Sequence, residues 1–183
     1  MLTREEALTM LRHSLKNEKL LKHSLAVEAI MRRLAERLGE DANLWSLVGL
    51  LHDLDYEETA QSFHLHGIKT AEKLKGLLPE EALEAIRGHN ELTGAPCQSK
   101  LCYALRASDQ ASGLIIATAL VMPGKRLAEV KVSSLKKKFK QRDFARGVRR
   151  ENLSLCEKLG LTLEEFLGLS LEALQAISGE LGL

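Results

Sequence analysis

Along most of this chain apolar residues recur every three or four positions, the spacing that gives a helix one buried face. Thr3-x-x-Glu6 has the form of a capping box and predicts a first helix. Asn17 is placed to cap a second, which runs to about Leu38 and stops at Gly39. A third is expected from about Ala42 to Asp53, and a fourth from His66 to Leu78. Pro79 suits the first position of a fifth. A sixth spans Ser99 to Val121 and ends before Pro123-Gly124. Two or three more follow, one opened by the box Thr162-x-x-Glu165. No sustained alternation argues for a strand.

The pattern becomes chemical where ionisable residues fall on apolar faces. In the second helix Leu20, Val27, Ile30, Met31, Leu34 and Leu38 form the stripe, and His23 lies within it. In the third, His52 lies four after Val48 and eight after Leu44. In the sixth, Asp109 lies four after Leu105. Any one of these alone fits a hydrogen-bonded core residue or an ion-pair partner. Together, two imidazoles and two carboxylates converging from three helices suit a divalent metal, because a buried carboxylate needs compensation of several kcal/mol in order of magnitude.

Composition bounds this picture. With 183 residues and 45% hydrophobic content, the chain reads as one all-α domain over 1–183, able to bury a core without staples. Its metal-binding core is expected at about 20–116 and a helical extension at about 125–183. The net charge of +1 provides no global attraction for nucleic acid. Cys97, Cys102 and Cys156 are odd in number and lack CxxC spacing, which argues against a disulfide framework and a cysteine zinc site. A reducing cytoplasm is the expected setting. No apolar run is long enough to span a membrane.

The order His23, His52-Asp53, Asp109 resembles the HD superfamily of metal-dependent phosphohydrolases. Its local contexts are KHSLAVEAIMRRLAERLG, LVGLLHDLDYEET and LRASDQASGLI. HLHGIKTAEKL and AIRGHNEL look like its additional histidine motifs. The tail is similar to that of a bacterial predicted-hydrolase subgroup. The resemblance implies a helical bundle with extra C-terminal helices and a first divalent metal on His23, His52, Asp53 and Asp109. A second metal would sit on His66 and His89, bridged by Asp53. Many dinuclear members carry two consecutive histidines where this chain has His89-Asn90. The metal would be manganese, iron, cobalt, nickel or zinc, since mixed histidine and carboxylate ligands suit all five.

The implied reaction is attack of metal-activated water on a small phosphate ester, such as a nucleotide. The alternative is an inactive module that binds metal and a nucleotide or protein partner. Asp55 and Glu57, just past Asp53, are candidate acid–base groups beside it. From Lys125 to Arg150 there are eleven Lys or Arg and two acids, Glu129 and Asp143. Arg146, Arg149 and Arg150 are expected on neighbouring faces of a helix. Lys137 or Arg149 could capture phosphate from this segment. Only Phe139 and Phe144 offer stacking surfaces there, which disfavours nucleic acid as a partner.

Overall fold

The computed structural model describes residues 2–183 and is all-α, with no strand among the described residues beyond an isolated bridge between Lys75 and Leu78. Ten α-helices run in order: α1 Arg4–Ser14, α2 Glu18–Leu38, α3 Ala42–Leu51, α4 Ile68–Leu74, α5 Glu80–His89, α6 Lys100–Leu120, α7 Val132–Lys140, α8 Arg150–Leu153, α9 Leu163–Ala176 and α10 Ser178–Leu181. Both capping boxes form, with Thr3–Glu6 opening α1 and Thr162–Glu165 opening α9. Asn17 caps α2, and Gly39 closes it in the left-handed conformation.

α2 and α6, the two longest helices, carry most of the packing. α2 lies most extensively on α3 and also meets α6 and α9. α6 touches α5, α7, α8 and α9. Their fully buried residues, among them Ile30, Met31, Leu34, Leu105, Leu114 and Ile115, form the centre of the core. Gly49 explains how closely α3 approaches α2. A Cβ there would lie 2.9 Å from the Val27 carbonyl oxygen, too near for any other residue without a backbone shift. That approach brings the end of α3, and so His52, towards α2.

Several elements differ from the sequence expectation. α3 ends at Leu51, with His52 as its C-cap, and turns occupy the residues after it. α4 begins at Ile68 because Gly67 takes φ +91°, and a Cβ on Gly67 would meet the Ile86 carbonyl at 2.7 Å. Pro79 is the N-cap of α5, one position earlier than expected. Residues 141–149 form an irregular loop, so Arg146 and Arg149 are not on the expected helix. The expectation about cysteines is also corrected. Cys97 and Cys102 are joined, because the loop before α6 turns back and brings their Cα atoms to 5.5 Å. Cys156 is free and buried, and burial pushes its thiol up to about 11. No described helix is long and apolar enough to cross a membrane.

Candidate metal centre

Four helices and the loop after α3 deliver one ionisable cluster. α2 supplies His23, the end of α3 His52 and Asp53, the loop before α4 His66, the end of α5 His89, and α6 Asp109. His23 Nε2 lies 3.0 Å from Asp109 Oδ1 and 3.6 Å from Asp53 Oδ2. His52, His66 and His89 bring their Nε2 atoms to 3.1, 3.2 and 3.5 Å from Asp53 Oδ1. Asp53 is thus the centre of the arrangement.

Each histidine is oriented through its other nitrogen. Nδ1–H of His52 donates to the Gly49 carbonyl at 2.8 Å, and that of His89 to the Ile86 carbonyl at 2.5 Å. His66 donates to Asp55 Oδ1 at 2.7 Å. Ser112 Oγ gives its proton to the Asp109 carbonyl and accepts from His23 Nδ1 at 3.1 Å. All four rings therefore turn Nε2 towards Asp53. His52 Nε2 is buried and has no hydrogen-bond partner. His66 and His89 Nε2 face each other at 3.1 Å, a contact that either a proton or a bound cation between them satisfies. His23, His52 and Asp109 form one set with ligand atoms within 4.8 Å of one another, and His52, Asp53 and His89 form another. This donor set fits divalent metal.

The electrostatics differ from group to group. Burial works against the charged carboxylate of Asp53, but the surrounding histidines, His52 foremost, hold it well below its ordinary range. Burial also opposes ionised Asp109, which His23 nevertheless keeps low. For His52 burial dominates and pushes the ring down to about 4, so it stays neutral. Burial opposes a charged His66 too, but its bonds to Asp53 and Asp55 outweigh this and raise it to about 9. In His23 the same contest, with Asp109 as the main partner, ends in a raised value.

Sequence reasoning placed Asp55 and Glu57 beside the reaction, and the structure puts them elsewhere. Asp55 is fully buried and accepts from His66 Nδ1, from Gly67 N at 2.8 Å and from Thr70 N at 2.9 Å. With both oxygens engaged, it fixes His66 and the start of α4. Glu57 is exposed and accepts from the Lys16 backbone N–H. Lys137 is exposed on α7 and does not line the cleft, whereas Arg149 does. His13 and His64 are exposed. Asn90 donates to the carbonyls of Phe63 and His66 at 2.8 and 3.0 Å. Its amide holds the loop that delivers His66.

Above the cluster opens a cleft of about 410 Å³. Leu20, Tyr56, Phe63, Leu92, Gln110 and Arg149 line it, together with Gly147 and Asn152. Phe63 stacks on His66, with ring centroids 4.6 Å apart. Gln110 and Asn152 were not singled out from the sequence. Gln110 adjoins Asp109, which was its one available signal.

The cluster beneath this cleft, four oriented histidines and two carboxylates in a helical bundle, is a site able to hold divalent metal. The HD domain family model matches residues 20–120, more than half of the chain, and the chain belongs to that family, part of the metal-dependent phosphohydrolase superfamily. The chain is also similar to Ribonuclease Y of Lawsonia intracellularis (strain PHE/MN1-00), with 32% identity over 99 residues. The match covers 52% of this chain and 18% of that relative, so the chain spans less than a fifth of its length. No solved structure matches it.

Proposed function

We propose that this chain is a metal-dependent phosphohydrolase that cleaves a phosphate ester of a small molecule. The observation that carries this reading is the inward presentation of four Nε2 atoms around Asp53 at the floor of the cleft. His23, His52, Asp53 and Asp109 would hold a first metal, and Asp53, His66 and His89 a second. Metal bound there would polarise a phosphoryl oxygen and acidify water beside it. The chain's own contribution is to keep both carboxylates ionised and His52 neutral, and to fix the donors by their outer hydrogen bonds. Arg149 pairs with Glu91 at the cleft wall and can exchange that carboxylate for a substrate phosphate. The cleft volume lies in the range of small-molecule sites, roughly 300–1,000 Å³.

The name of the similar Ribonuclease Y favours a second reading, cleavage of a phosphodiester in RNA. One experiment addresses both. Metal content is measured on purified protein, and turnover is followed on phosphomonoesters and a short oligoribonucleotide. Asp53→Ala is expected to lose metal and to lower turnover on the order of a thousandfold or more. Hydrolysis that persists with metal content unchanged would overturn the assignment.

A further inference from the structure

The cleft lining includes Gly147, Arg149 and Asn152, beyond the region matched by the family model. Most of the polar groups around them are already engaged. Gln110 donates to Asp109 Oδ2 at 2.7 Å and accepts from the Arg149 backbone N–H at 2.8 Å. Glu91 pairs with both Arg106 and Arg149. Asn152 differs. It is only 7% exposed, it lines the cleft, and its side-chain amide meets no hydrogen-bond partner among the described residues. Nor are its amide atoms among those sealed away from solvent without a partner, so they reach solvent on a residue that lines the cleft. A polar group buried to this degree and left unpaired is costly unless a ligand or water completes it.

We propose that Asn152 is a specificity-determining residue that reads the organic part of the substrate, resting on the hydrolytic reading above. The chemistry of the side chain names the ligand group. A carboxamide presents a donor and an acceptor side by side, whereas phosphoryl oxygens only accept and are served by Arg149. The group that matches Asn152 is one offering an acceptor and a donor together. Sugar hydroxyls and the edge of a nucleobase share that chemistry. A bare aromatic leaving group lacks it.

The test compares ribose 5-phosphate, adenosine monophosphate and p-nitrophenyl phosphate as substrates for the metal-loaded wild type, Asn152→Leu and Asn152→Ser. The leucine variant is expected to lower kcat/KM for the hydrogen-bonding substrates about tenfold or more relative to its effect on p-nitrophenyl phosphate, mostly through KM. A drop for both assigns the contact to sugar hydroxyls, and a drop for the nucleotide alone assigns it to the base. Serine, which retains one donor and acceptor, is expected to fall between and provides the answer if the leucine variant does not fold. Calorimetric binding of the same compounds to chelator-treated protein gives a readout without turnover, with the same tenfold loss expected. Equal effects on all three substrates, or unchanged binding, overturn the proposal and leave hydrolysis standing. If no ester is turned over, the hydrolytic reading fails, and a selective tenfold loss of binding in Asn152→Leu still upholds the subsite.

Discussion

The floor and the outer wall of this cleft are built by opposite means. The floor is made mostly by packed helices, which place His23, His52, His89 and Asp109, with Asp53 and His66 from the segment between α3 and α4, and each ring is fixed by a short-range bond or a neighbouring side chain. The outer wall is a loop, residues 141–149, with little burial of its own. One side chain organises it. Arg150 is 7% exposed, and its guanidinium donates to the carbonyls of Lys138, Phe139, Gln141, Phe144, Ala145 and Val148. It closes the end of α7 and holds Ala145, whose φ of +47° an L residue rarely adopts. The comparison teaches that a site can be rigid at its chemistry through helix packing and rigid at its mouth through a single buried cation.

The sharpest way to break the comparison is Arg150→Ala. It leaves several carbonyls unpaired and removes the loop's anchor, and is expected to cost about 2–4 kcal/mol in denaturant unfolding. Arg149→Ala next to it removes an exposed ion pair and should change stability little. If the two variants unfold alike, the loop is not held by Arg150.

Asp55→Asn tests the floor in the same spirit. The amide cannot both accept from His66 and serve Gly67 and Thr70 as the carboxylate does. Metal affinity at the His66–His89 side is expected to fall about 10–100-fold, as for other residues that orient metal ligands, while the His23–Asp109 side keeps its metal. Titration of chelator-treated protein with a divalent metal, counting sites, distinguishes this from loss of both.

Much of the floor could be read from the sequence and almost none of the outer wall. His23, His52 and Asp109 were visible because helical period alone puts them on apolar faces, and the family resemblance added His66 and His89. Asp55 was visible as a residue but not in its role. It lies in a turn after α3 beside exposed Glu57 and Glu58, and nothing local says that its carboxylate bonds to the start of α4. Arg150 looked like one more member of a basic stretch, since its partners are carbonyls in a loop whose path depends on α6 and α7. Asn152 and Gln110 are ordinary helix residues until the loop is placed against them.

The histidines of the floor also set opposite pH dependences in metal-free protein. His66 is raised to about 9, so its contribution to stability is present below the unfolded value of about 6.5 and is lost as pH rises towards 9. His52 is lowered to about 4, so stability is lost as pH falls from about 6.5 towards 4, where the unfolded chain takes the proton first. The melting temperature in chelator is expected to peak between these limbs, and His66→Gln should remove the alkaline one. A flat alkaline limb in the wild type would mean that His66 is not held charged by Asp53 and Asp55.

The smallest effect is expected at Glu57, which the sequence made a candidate beside Asp53. Its carboxylate is exposed and accepts from the Lys16 backbone N–H, tying the turn after α3 to the α1–α2 connection. In Glu57→Gln the amide oxygen can still accept that bond, so kcat/KM should stay within about twofold, the scale of an exposed neutral substitution. Lys137→Ala, on a helix face that does not line the cleft, should behave alike. A tenfold loss in the glutamine variant with metal content intact would show that charge at this turn is felt at Asp53. The floor would then depend on its connecting loop as much as the outer wall does, and the contrast between them would narrow.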